Sequence, residues 1–292
     1  LAFLDRVPPR AAVAEAVDQV RRGPAPRLAG LTNALLRNLA SRGRDALRPR
    51  PELAKSAEDL ALARGLPHWL ASRLVEAYGF ARASAVAAAF DRPAQRTLRA
   101  NARRTTRDAL VAELGAGARA DPLSPTALAV DDAQRARDLE ERGLAVHQDT
   151  GSQLVALAVD ARDGQRVLDA CAGRGGKTGA LAAAAPGAQI LAADRRRSKL
   201  ERLELDLERL GLAARTLVAD LADPAAPLPD ELDRILLDAP CSGSGTVGRR
   251  PEIRWRLREA DVGRLVAAQD RLLDALAGRL APGGRLVYAV CS

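Results

Sequence analysis

From residue 151 onward, short apolar runs alternate with helical stretches, and few folds accept that rhythm. Runs at 166–170, 189–193, 214–218, 233–238 and 285–290 are rich in Val, Leu, Ile and Ala and have the length of strands. Stretches at 179–185, 198–210 and 260–280 between them carry apolar residues at helical spacing. A strand apolar along its whole length is buried on both faces, and strands joined through helices run parallel. The expected class is α/β: a doubly wound, Rossmann-like sheet with right-handed crossovers.

The chain ahead of this region reads differently. Residues 1–48 look all-helical, with helices at 11–22 and 28–41 separated by Gly23-Pro24-Ala25-Pro26. Leu31, Leu35, Leu36 and Leu39 share one face of the second helix, which should stop near Gly43. Two helices cannot bury such faces alone, so they are expected to end a larger bundle. Pro49-Arg50-Pro51 reads as a linker, followed by helices at 56–64, 68–78 and 81–90. A small α+β unit follows: a strand at 96–101, a helix at 106–114 and a strand near Leu128-Ala129-Val130. The expected domains are therefore 1–48, 49–145 and 146–292.

Charge separates the same regions. Residues 1–107 hold 20 basic against 9 acidic residues, whereas 108–292 hold 25 against 28. Either the front binds a polyanion, or it is the solvated surface of an arginine-rich chain, lysine occurring only at 55, 177 and 199. Arg99, Arg103, Arg104 and Arg107 in the small unit allow the same two readings. No apolar stretch approaches the ~20 residues of a membrane span, and the start does not read as a signal peptide. Cys171, Cys241 and Cys291 provide neither a disulfide framework nor metal-ligand spacing, so a cytoplasmic protein without a metal is expected. The absence of methionine, the start at Leu1 and the end at Ser292 suggest a fragment cut at both ends.

Chemistry gathers where the apolar runs end. Ile235-Leu236-Leu237-Asp238-Ala239-Pro240-Cys241-Ser242-Gly243-Ser244-Gly245 delivers a carboxylate and a thiol into a loop; Leu286-Val287-Tyr288-Ala289-Val290-Cys291 delivers a second thiol. Active sites of open α/β sheets lie at such carboxyl ends. The first run leads into Cys171-Ala172-Gly173-Arg174-Gly175-Gly176-Lys177-Thr178, whose glycines let backbone amides approach a polar ligand. A phosphate loop fits at Gly176-Lys177-Thr178 but fails at Cys171, where glycine or alanine belongs. A dinucleotide fingerprint fails at Thr178. The third option is S-adenosyl-L-methionine, for which Asp194, Asp220 and Asp238 close three successive strands on one rim. Arg249 to Trp255 is a cationic segment with one aromatic, suited to a nucleic-acid strand in a chain where aromatics are only 2%.

These residues resemble the RNA cytosine-C5 methyltransferases. The stretch from Asp169 to Thr178 resembles the cofactor motif of that family, Asp238 to Gly245 its proline-cysteine motif, and Tyr288 to Ser292 its nucleophile motif. Leu98-Arg99-Ala100-Asn101, Val146-His147-Gln148-Asp149 and Gly151-Ser152-Gln153-Leu154 extend the likeness. Leu31-Thr32-Asn33-Ala34-Leu35-Leu36-Arg37 looks like the end of the antitermination-factor-like RNA-binding domain of the bacterial 16S ribosomal RNA branch, the Sun (Fmu) type.

The resemblance implies a monomeric enzyme that uses S-adenosyl-L-methionine on RNA, 16S ribosomal RNA being the substrate, away from membranes. It assigns cofactor contacts to Cys171 through Lys177, Asp194, Asp220 and Asp238, attack at cytosine carbon 6 to Cys291, base stabilisation to Asp238 and product release to Cys241. The loop around Cys291 should then favour its thiolate. Two departures stand out: Arg174 replaces the family's proline, and the family's sheet continues for two strands beyond Cys291. The alternatives are a P-loop NTPase and a non-catalytic RNA-binding fragment.

Overall fold

The computed structural model describes residues 7–42, 51–92 and 94–292; the linker residues Pro49 and Arg50 and the stop at Gly43 lie outside them. The chain forms two compact units, 1–88 and 89–292.

In the first unit, α1 (Pro9–Arg22) and α2 (Ala29–Ser41) pack Val13, Val17 and Ala29 together with Val20 and Leu36. Leu31, Leu35 and Leu39 stay exposed, so only part of the apolar face expected on α2 is used. Helix α3 (Ala57–Arg64) begins in a capping box: Ser56 accepts from the Asp59 amide, and the Asp59 carboxylate accepts from the Ser56 amide. Helix α4 (His68–Ala89) is continuous in hydrogen bonding but kinked at Gly79, whose φ of 73° only glycine adopts easily. That kink is the break the sequence places between 78 and 81.

The second unit opens with an antiparallel sheet of order β2-β3-β1-β4: β1 (Thr97–Ala100), β2 (Ala118–Ala120), β3 (Ala127–Val130) and β4 (Ala145–His147). Helices α5 (Arg107–Leu114) and α6 (Ala133–Glu141) cover it, burying Leu98, Leu110, Leu128, Val130 and Leu139. The sequence reading missed β2 and β4, three-residue strands with too few residues to show a period. Strand β4 spans the expected 145/146 boundary and pairs with β1. Three of the four front arginines bond within the chain, Arg104 through the Arg142 carbonyl. Arg99 is buried, its Nε donating to Gln148 Oε1 at 2.6 Å, and burial pulls its guanidinium down to about 10. Arg107 donates to the carbonyls of Asp121 and Ser124.

Helix α7 (Thr150–Val159) leads into a five-stranded sheet of order β7-β6-β5-β8-β9, parallel throughout. Its strands are β5 (Arg166–Ala170), β6 (Gln189–Asp194), β7 (Arg215–Val218), β8 (Leu232–Asp238) and β9 (Leu280–Ala289). Alternate residues feed two cores. Leu168, Ile235 and Leu237 pack with Leu272 and Leu276; Val167, Leu236 and Ile190 pack with Val159 and Leu181. Val159 comes from α7, Leu181 from α8 (Gly176–Ala184), and Leu272 and Leu276 from α11 (Glu259–Ala277); α9 (Arg197–Leu210) packs Leu200, Leu203 and Leu207 on Ala192, and the short α10 (Ile253–Arg256) precedes α11. Strand β9 starts five residues earlier than the sequence suggests. Leu280 pairs with Leu232 and Arg285 with Arg234, so Pro282-Gly283-Gly284 forms an irregularity inside the strand.

The sheet reverses its order between β5 and β8. That switch point opens a crevice at the carboxyl ends of the strands, where the glycine loop and the Asp238-to-Cys241 turn leave the sheet.

Candidate active site

A cavity of about 860 Å³ occupies the crevice. Cys171, Ala172, Gly173, Arg174, Gly176 and Lys177 line it from the β5–α8 loop; Asp194 and Asp220 line it from the ends of β6 and β7; Asp238, Cys241 and Cys291 close the far side. Gly175 lies beneath the loop instead. Its φ is 83°, and a Cβ there would come within 2.4 Å of Leu203 Cγ, so this glycine lets the loop seat against α9.

Two further positive φ values, 61° at Cys171 and 60° at Gly173, fold the loop tightly. Asp194 holds it in place. The buried carboxylate accepts the Gly173 amide at 3.1 Å, the Lys199 ammonium at 3.0 Å and the Arg196 amide at 2.9 Å. Lys199 escaped sequence reasoning, although a cation one turn into the helix after a strand-end aspartate was the available signal. Asp220, by contrast, is exposed and caps its own turn through the Ala222 amide.

The phosphate-loop reading loses its two supports. The Lys177 ammonium is 2.6 Å from Asp238 Oδ2, and the Thr178 hydroxyl donates to Asp169 Oδ2 at 2.5 Å, so both side chains are committed within the protein.

Asp169 is fully buried at the end of β5, lines the cavity and leaves Oδ1 without a partner. Desolvation lifts its carboxyl to about 7. The folded chain therefore keeps a proton up to near neutrality, whereas an unfolded aspartic acid releases it near pH 4. Between those values the folded state binds more protons, so this group makes stability fall as pH rises, on the order of 1 kcal/mol per pH unit. Thermal denaturation from pH 4 to 7 should show a steeper decline in the unmodified chain than in Asp169→Asn. Equal slopes would remove the buried proton.

The two thiols meet across the strand ends. Cys241 Sγ and Cys291 Sγ are 3.1 Å apart, and the Cys291 amide donates to Cys241 Sγ at 3.1 Å. The thiol loop is fastened to β9 by the Ala239 amide donating to the Ala289 carbonyl and the Gly245 amide to the Cys291 carbonyl. Gln269 on α11 braces both sides, donating to the Pro240 carbonyl and accepting from the Tyr288 hydroxyl.

Charge is divided unequally between these sulfurs. The hydrogen bond from Cys291 and the surrounding donors pull the Cys241 thiol down to about 5, while Cys241 and burial push Cys291 up. At rest this arrangement favours charge on Cys241 and the shared proton on Cys291, the reverse of the expected thiolate, because the Cys291 thiol and then its backbone amide both donate toward Cys241. Cys171 stays a thiol, burial pushing it up to about 12 among three aspartates.

The donor set suits an adenosyl amino acid. The unpartnered Asp169 Oδ1, the folded amide-rich loop and the acidic ends of β6 and β7 face one space of the size ligand pockets have.

Comparison with known proteins agrees with this geometry. Residues 156–292 match the family model described as 16S rRNA methyltransferase RsmB/F, 66–137 the RsmF/B-like ferredoxin-like domain, and 1–41 the NusB family. Ribosomal RNA small subunit methyltransferase B of Citrobacter koseri is 38% identical over 98% of the chain and 67% of its own length. The protein of that name from Erwinia tasmaniensis is 36% identical over 98% of the chain and 66% of its length. The chain spans about two thirds of the length of these curated relatives. Among solved structures, a methyltransferase homologue from Pyrococcus horikoshii is 30% identical with a TM-score of 0.72, covering 82% of this chain and 78% of its own. NSun6 from Pyrococcus horikoshii, solved with SFG, shares the fold at a TM-score of 0.71 and 18% identity, covering 78% of this chain and 84% of its own.

Proposed function

This chain belongs to the 16S rRNA methyltransferase RsmB/F family, and we propose that it methylates carbon 5 of a cytosine in 16S ribosomal RNA through a covalent adduct on Cys291. The observation that carries the reading is the pair of thiols 3.1 Å apart, on adjacent strand ends, facing the same cavity as Asp238 and the glycine loop.

S-adenosyl-L-methionine, the methyl donor of this family, supplies an electrophilic methyl group when bound. The loop from Cys171 to Lys177, with Asp194 and Asp220, would hold it, and Asp169, whose Oδ1 is unpartnered, would serve its ammonium once that cation draws off the carboxyl proton. Arg174, exposed on the loop, adds a cation at the rim.

The chain's own residues do the rest. Cytosine carbon 5 is a poor nucleophile until a thiolate adds at carbon 6. Cys241 takes the proton of Cys291, whose sulfur then bonds to carbon 6 while the ring π electrons move toward N3. Asp238, paired with Lys177, stabilises that edge of the base. Cys241 releases its proton to solvent and, once carbon 5 is methylated, accepts the carbon 5 proton. The carbon–sulfur bond breaks, the 5,6 double bond returns, and proton transfer back to Cys291 restores the resting pair. One proton leaves per turnover, as substitution of hydrogen by methyl requires. The target base must leave any stack to reach the thiols.

The test is nucleoside mass spectrometry of 16S ribosomal RNA after incubation with methyl-labelled S-adenosyl-L-methionine. Labelled 5-methylcytidine is expected; label on another nucleoside, or tight magnesium-ATP binding without S-adenosyl-L-methionine binding, overturns the reading.

A further inference from the structure

The segment 249–258 leaves the thiol loop and takes no part in the chemistry above. It sets Arg249, Arg250, Arg254, Arg256 and Arg258 against one carboxylate, Glu252, and places Trp255 among them. Its inner side is anchored. Ile253 is buried and lines the cavity, its Cδ1 3.2 Å from where Gly243 would carry a Cβ. Arg254 pairs with Asp91 at 2.8 Å, and Arg249 pairs with Asp149.

The outer side is open. Two residues further round a helical turn is about 200°, so Trp255 projects away from Ile253, and it is 76% exposed. Arg256 and Arg258 are exposed next to it in sequence. An indole in water, beside two exposed arginines and two residues from a cavity-lining side chain, is a surface arranged for something flat and anionic.

We propose that Trp255, flanked by Arg256 and Arg258, is a stacking platform for a nucleotide of the single-stranded RNA whose neighbouring base enters the cavity. The inference rests on RNA being the substrate and adds where the strand lies. Every base presents a π face to an indole, and guanidinium groups take the phosphates on either side. A duplex keeps its base faces inside the stack, so the platform favours single strands. Arg250, which also lines the cavity, continues the cationic path from Trp255 to the thiols.

Trp69 is the other tryptophan, so Trp69→Phe leaves Trp255 as the sole indole. Titration with end-labelled single-stranded oligocytidine should quench its emission with the midpoint seen by anisotropy of the label. In the same assay Trp255→Ala should weaken binding about tenfold, and Trp255→Phe only about two- to threefold. A duplex of equal length should leave the emission unchanged. Binding with unchanged emission, together with unaltered affinity in Trp255→Ala, overturns the platform. Where Trp69→Phe does not fold, acrylamide quenching of the unmodified chain reads the same shielding. Absence of any RNA binding would instead overturn the RNA reading, and the platform with it.

Discussion

Cys291→Ala is expected to abolish the covalent complex between the protein and RNA containing 5-azacytidine, and to lower methyl transfer by at least about 10³-fold. The substitution removes the sulfur proposed to attack carbon 6 while leaving β9, which ends at Ala289, unchanged. Cys291→Ser should be equally inactive, because Cys241 can take a proton from a thiol but not from an alcohol of far higher pKa. Binding of S-adenosyl-L-methionine should persist in both, since the loop from Cys171 to Lys177 and Asp194 is untouched. Denaturing gel electrophoresis with mass-spectrometric mapping reads the result. A complex retained in Cys291→Ala would transfer the attack to another residue.

Cys241→Ala is expected to do two things at once. Without the base that removes the carbon 5 proton, the methylated RNA should stay on Cys291, so a covalent complex accumulates with ordinary cytosine. Without the neighbour that pushes it up, Cys291 should titrate as an ordinary thiol near ~8.5, so its reactivity should rise with pH through that value. In the unmodified chain the hydrogen bond from Cys291 holds Cys241 well below the usual thiol range, which favours its thiolate at neutral pH. Site-resolved alkylation with iodoacetamide separates the two effects without RNA: at pH 7 Cys241 should react first, and Cys291 should become reactive only when Cys241 is replaced. Preferential alkylation of Cys291 in the unmodified chain would reverse the assigned positions of proton and charge. Clean turnover without accumulated complex would remove the release role.

Much of the fold was legible because a parallel sheet leaves a strong trace. Strands β5, β6 and β8, apolar through their centres and followed by α8, α9 and α11, stand out from any single-faced pattern, although β7 reaches β8 without a helix. The break between the halves of α4 was visible because Gly79 sits where only glycine fits. Less was legible where elements are short or irregular. Strands β2 and β4 have three residues each. Strand β9 absorbs Pro282-Gly283-Gly284, which by local rules is a turn, because pairing with β8 outweighs the local preference.

The candidate site divides in the same way. Strand-end position alone marks Asp194, Asp220, Asp238, Cys241 and Cys291, and the sequence determined that they share one rim, since parallel strands all end on the same side. Which partners most of those groups have was decided only by tertiary structure. Lys199 on Asp194, five residues apart, left a local signal, whereas Lys177 on Asp238 and Thr178 on Asp169 arise from the glycine loop and its helix folding back over the crevice. The division of charge between the two thiols is of this kind. Sequence names two cysteines fifty residues apart; the β8–β9 pairing brings them to 3.1 Å and turns the Cys291 amide toward Cys241, so that one proton can be shared between the two sulfurs.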